Sequence, residues 1–215
     1  MTLRLTRPAA ALLALGLAGS SRAGTASAQA RLELTPFVAT YFPLSRLVDS
    51  ASFSEKQSTV AAFGARLRYA FSTTLSLEVS GIYSASKLIT DAGGQLSGGA
   101  SVTNIQSGRV LLSSLRLRFQ PRRSNFFALA GPALIWRRGD AWPKAAYRKR
   151  DAFGGVVGIG ARSEVSSRLD LNVVAELYLY SLDADGGGAT GRYYNSTFQK
   201  DLVVTVGVPL GLINR

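Results

Sequence analysis

The chain has 215 residues, 25 of them basic and 13 acidic, for a net charge of +12, and it contains neither cysteine nor histidine. Without cysteine there is no disulfide framework, thiol nucleophile or thiolate metal site. Without histidine there is no Ser-His-Asp triad, imidazole-activated water or His-ligated metal. The length suits one domain, and 47% hydrophobic with only 18% charged residues excludes a disordered chain.

Arg4 and Arg7 precede an apolar run over residues 8–19, and a small-residue tail closes on Ala28-Gln29-Ala30. A basic start, a short apolar middle and an Ala-x-Ala end are the parts of a secretory signal peptide, with cleavage expected after Ala30. The apolar run is too short for a membrane helix, which needs about 20 residues. The expected mature region, 31–215, loses Arg4, Arg7 and Arg22 and so carries +9.

From there the chain alternates. Residues 32–42 do so loosely around Pro36. In 61–71, Ala61, Phe63, Ala65, Leu67, Tyr69 and Phe71 oppose Gly64, Arg66 and Arg68. In 75–83, Leu75, Leu77, Val79 and Tyr83 oppose Ser76, Glu78 and Ser80. Leu111, Leu115, Leu117 and Phe119 oppose Ser114, Arg116 and Arg118. Residues 125–136 are apolar on both parities and hold Pro132, and 152–163 are glycine-rich. The pattern is strongest in 169–180, where Leu169, Leu171, Val173, Ala175, Leu177 and Leu179 oppose Asp170, Asn172, Glu176 and Tyr178. It recurs in 202–212, with Leu202, Val204 and Val206 against Asp201 and Thr205. Period two with unlike faces predicts a strand, and no helical period competes.

The eight predicted strands are joined by long connections (43–58, 87–105, 137–151, 181–198) alternating with short ones (72–74, 120–124, 164–168). Long ends on one side and short ends on the other are the asymmetry of an outer-membrane barrel, which a soluble sandwich or lipocalin-like barrel has no reason to keep. On this architecture the chain resembles the small OmpA-like, OmpX-like and OmpW-like barrels over all of 31–215. The resemblance implies an all-β fold, an eight-stranded antiparallel up-and-down transmembrane β-barrel in the bacterial outer membrane. Those families usually end in an aromatic residue, whereas this sequence ends Gly211-Leu212-Ile213-Asn214-Arg215.

Alternation alone leaves open which face meets lipid. Tyr69, Phe71, Phe119 and Tyr83 at strand ends resemble interfacial girdles and favour the apolar face outward. The lumen would then hold Arg66, Arg68, Arg116, Arg118 and Arg162 with Glu78, Asp170, Glu176 and Asp201. Eight strands leave an interior only just filled by side chains, so these charges are expected to pair into a plug rather than line an ion path. The expected role is structural or surface-interacting, with a closed lumen. The alternative is a narrow porin-like barrel passing small or apolar solutes. The membrane-embedded lipases and proteases of this architecture depend on histidine, so no enzyme and no cofactor is expected.

The third long connection is strongly basic, with Arg137, Arg138, Lys144, Arg148, Lys149 and Arg150 beside Trp142 and Tyr147. On an outer surface its expected partners are membrane lipid and the phosphates of lipopolysaccharide, with Trp142 and Tyr147 as interfacial anchors, rather than nucleic acid. Three other motifs carry little. Gly154, Gly155, Gly158 and Gly160 suggest a phosphate loop, but a strand follows where a helix is required. Asp183-Ala184-Asp185-Gly186 lacks the downstream carboxylate of a calcium loop. Asn195-Ser196-Thr197 matches a glycosylation sequon and nothing more.

Overall fold

A computed structural model describes residues 31–50, 53–92, 102–142, 151–166, 169–182 and 197–213. The expected signal peptide at 1–30 lies outside them, as do the acidic run at 183–186 and Asn195 and Ser196 of the sequon. The described elements are all strands: β1 (Arg31–Pro43), β2 (Val48–Ser50), β3 (Phe53–Gln57), β4 (Val60–Ala70), β5 (Leu75–Ser84), β6 (Lys87–Ala92), β7 (Val102–Ser107), β8 (Arg109–Phe119), β9 (Phe126–Arg138), β10 (Asp151–Ser166), β11 (Leu169–Leu182), β12 (Thr197–Gly207) and β13 (Leu210–Ile213).

Eight long antiparallel strands run β1-β4-β5-β8-β9-β10-β11-β12, and β12 pairs back onto β1 to close a barrel. The closing register runs from Phe37 opposite Gly207 to Pro43 opposite Asp201. The eighth strand departs from its expected limits. It begins earlier, at Thr197, and breaks at Val208-Pro209, because Pro209 has no N–H for the ladder. Val208 N–H still reaches the Pro36 carbonyl at 3.1 Å, and β13 resumes the pairing with Leu32–Leu34 of β1.

The side-chain period settles the facing. Along β11 the residues Asn172, Val174, Glu176, Tyr178, Tyr180 and Leu182 are buried, and the leucine-rich parity looks outward. Large apolar residues stay exposed around the wall, among them Val38 (67%), Phe63, Val79, Leu117, Phe153 (72%) and Ile159. Each would gain roughly 1.5–3 kcal/mol from burial, so a continuous belt of them is a lipid-facing surface. Aromatic side chains edge the belt, with Tyr69, Phe71, Phe119 and Phe126 toward the short turns and Phe63, Phe153 and Phe198 toward the long connections.

Two of the long connections are not the plain loops expected from sequence. They hold β2, β3, β6 and β7, the last running past the expected limit of 105 to Ser107, and these form a separate four-stranded sheet in the order β2-β3-β6-β7. This sheet stands on the long-connection end of the barrel. Its strands are short and polar on both faces, so no alternation marked them.

The glycines of β10 provide space inside the wall. A Cβ on Gly160 would strike the Phe127 ring, and one on Gly154 would meet Tyr180 Cβ and the Leu179 carbonyl. As the sequence suggests, these glycines serve strand packing and not a phosphate loop, with inward-facing aromatic rings laid against bare backbone. Gly160→Val should push Phe127 off its seat and lower stability by about 1–3 kcal/mol. Urea unfolding of the refolded protein in micelles measures it, with Gly155→Val as the comparison, because a Cβ there meets only a carbonyl at 3.7 Å.

Candidate functional site

The lumen is filled: Ile82, Val110, Leu112, Ile135, Val156 and Val203 belong to an inward apolar cluster toward the long connections, and a set of charges lies beside it. Inward positions on β4, β5, β8 and β11 bring Arg66, Glu78, Arg116, Arg118 and Glu176 together near mid-barrel. Arg118 Nη1 and Arg116 Nη2 each lie 3.1 Å from a different oxygen of Glu78. Arg116 Nη1 reaches Glu176 Oε1 at 2.8 Å, and Arg66 Nη2 reaches that same oxygen. Five charges of alternating sign therefore run Arg118–Glu78–Arg116–Glu176–Arg66 across the lumen. The Arg116 and Glu176 side chains have no solvent exposure.

Neutral partners complete the row. Tyr178 O–H donates to Glu176 Oε2 at 3.0 Å, Arg66 Nη2 donates to Thr205 Oγ1 at 2.6 Å, and Arg118 Nη2 donates to Gln120 Oε1 at 2.8 Å. Two guanidinium groups also stack on rings, Arg118 over Phe127 at 3.4 Å and Arg66 over Phe37 at 4.3 Å. Closer to the short turns, Arg162 donates to Asp170 Oδ2 at 2.6 Å and to Glu33 Oε2 at 2.9 Å. Arg68 lies 3.8 Å from Glu33 Oε2. Glu33 escaped the sequence reading because 31–43 alternates too loosely to assign its face.

Asp201 stands apart from this row, toward the long connections. Tyr180 O–H donates to Asp201 Oδ2 at 2.6 Å and Tyr41 O–H at 2.8 Å, while Gln57 Oε1 lies 3.0 Å from the Tyr41 hydroxyl. Arg137 Nη2 donates to the Tyr180 hydroxyl. Tyr180 thereby bridges Arg137 and Asp201, and Gln57 of the outer sheet is tied to the barrel wall. Above the network Leu47, Leu88, Ala141, Trp142 and Leu182 bury one another as an apolar lid over the mouth.

Solved structures were compared with this geometry. No family model and no curated relative matches the sequence. The crystal structure of the outer membrane protein OprG from Pseudomonas aeruginosa aligns over 86% of this chain and 96% of its own, with 13% identity and a TM-score of 0.52. The chain has the fold of a small outer-membrane barrel. Two further structures align with lower scores: AlkL in DMPC bilayers (10% identity, 90% of this chain and 95% of that one, TM-score 0.46) and neisserial surface protein A (11%, 83% and 96%, 0.39).

In this barrel the basic third connection must be redrawn. Arg137 does not belong to it. It sits on β9 at an inward position, fully buried, with its guanidinium 5.2 Å from the Trp142 ring centre and 4.9 Å from that of Tyr180. Trp142, expected as an interfacial anchor, is likewise buried, within the lid. Arg138 does point outward, where it is paired with Asp151 at 2.6 Å. Lys144, Tyr147, Arg148, Lys149 and Arg150 lie outside the described residues. No group of three or more metal-ligating side chains occurs among the described residues.

Removing one member of a buried ion pair leaves the other uncompensated, at a cost of about 3–5 kcal/mol. Glu176→Ala, which leaves Arg66 without a carboxylate and Arg116 with Glu78 alone, should lower the urea unfolding midpoint by about that equivalent. Glu78→Met should also destabilise, and adding Arg118→Met should recover part of the loss, because the pair is then replaced by apolar volume. Tyr180→Phe, which deletes the bridge between Arg137 and Asp201, should cost about 1.5–3 kcal/mol in the same assay.

Proposed function

We propose that this outer-membrane barrel is a closed structural anchor that presents its outer sheet and connections to the cell surface, and that its lumen passes no solute. The observation that supports the reading most is the row Arg118–Glu78–Arg116–Glu176–Arg66. It ties the three neighbouring strands β4, β5 and β8 to β11 across the lumen, with its central side chains shut off from solvent. An ion entering would have to separate paired charges in a low-dielectric interior, which costs several kcal/mol per group. The lid and the Tyr41–Asp201–Tyr180–Arg137 network close the mouth a second time. Ser80 and Ser84 are buried in the wall without a basic partner within hydrogen-bond reach.

Planar-bilayer recording of the refolded mature chain tests the reading. The expected result is no steady unitary conductance at either polarity. A stable open level in the unmodified protein would instead favour the narrow transport barrel.

A further inference from the structure

The charge row across the lumen does not balance. Three guanidinium groups, Arg66, Arg116 and Arg118, share two carboxylates, Glu78 and Glu176. The groups on either side do not supply the missing anion. Toward the short turns Arg68 and Arg162 face Glu33 and Asp170, two against two. Toward the mouth Arg137 is answered by Asp201 through the Tyr180 hydroxyl, one against one. Among the described residues the row therefore keeps one positive charge in excess, on side chains that are at most 5% exposed.

The shortage is sharpest where Arg66 and Arg116 meet. At Glu78 the two arginines take different oxygens, but Arg66 and Arg116 both reach Glu176 Oε1, while Tyr178 holds the other oxygen. Unused donors lie on the same strands. Arg66 Nε, Arg116 Nε and Ser80 Oγ are buried and have no hydrogen-bond partner. The register makes them neighbours: Ser80 is opposite Arg66 on one side and Ser114 on the other. Arg116 is the next inward residue after Ser114. Ser80 is only 1% exposed.

Water would satisfy these N–H and O–H groups but leave the charge unanswered, and a buried charge without a counterion is the costlier defect. An anion answers both. It must be small, because eight strands leave an interior only just filled by side chains, and monovalent, because the row lacks one negative charge. We propose that a small monovalent anion such as chloride binds inside the barrel between Arg66 and Arg116, with their Nε–H groups and the Ser80 hydroxyl as donors. The ion completes the row as its sixth member. The site rests on the charge count of the row and not on whether the lumen conducts.

The test follows urea unfolding of the refolded mature chain in zwitterionic micelles while chloride replaces gluconate at constant ionic strength. The midpoint should rise with chloride and level off, as binding to the folded state alone requires. Ser80→Ala, which deletes one donor to a charged partner, should raise the chloride concentration at half-effect about tenfold. Arg66→Met leaves the row two against two and should abolish the response. Ser113→Ala, on the lipid-facing parity beside Ser114, should respond as the parent does. Crystals grown in bromide should show an anomalous peak between Arg66 and Arg116. A midpoint indifferent to chloride would overturn the site. So would a bromide peak confined to the exposed surface, or an unshifted half-effect concentration in Ser80→Ala. That last variant keeps every charge of the row, so it decides the question even if Arg66→Met fails to refold.

Discussion

Everything in this molecule depends on the hydrogen bonds between β1 and β12. In hydrocarbon no water is available to satisfy a backbone N–H or C=O, so a sheet can cross only if its two edges bond to each other. The seven other barrel pairings join strands close in sequence and would form in an open sheet as well. The seam alone removes the edges. Once it is made, the outward apolar belt keeps the wall in lipid, and the lumen is free to hold charges beside its inward apolar cluster.

That freedom explains the inversion of a soluble core. The side chains that a globular protein would bury, Leu169 to Leu179 on β11 among them, face outward, and the charges face inward. A row of buried ion pairs contributes little net stability over apolar residues of equal volume, because desolvation offsets most of the attraction. What it contributes here is mutual dependence. Glu176 answers to arginines on two different strands, β4 and β8, so the angular placement of those strands is set by geometry at one carboxylate. The aromatic rings seated on bare glycine backbone act in the same way, since Phe127 fits only where Gly160 leaves room.

Much of this was legible in the chain because a barrel wall has a period of two and unlike faces. Arg66, Arg68, Glu78, Arg116, Arg118, Arg162, Asp170, Glu176 and Asp201 all sat on the parity opposite the leucines, and all face inward. Glu33 was lost where Pro36 blurred the alternation. Arg137 was misplaced because it lies where the apolar strand 125–136 meets a basic run, and charge suggested loop where the strand continues for two more residues. The outer sheet left no pattern, since β3 (Phe-Ser-Glu-Lys-Gln) and β7 (Val-Thr-Asn-Ile-Gln-Ser) are polar on both faces and short. Which charges pair is a property of distance across the lumen, between residues such as Arg66 and Glu176 that are 110 positions apart, and no local pattern encodes it.

The seam also orders events in time. Phe37 must find Gly207, 170 residues along the chain, and closing so long a loop costs roughly 4–5 kcal/mol in chain entropy unless the intervening hairpins have already drawn the ends together. Closure therefore comes last, after the local pairings have reduced the search. Until then two full-length strand edges carry unpaired donors and acceptors that hydrocarbon cannot accommodate. Pro36 and Pro209, meeting where β12 gives way to β13, thin the ladder at that late joint. The half-built sheet must wait at a wet interface, and entry into the membrane and completion of the ring become a single step.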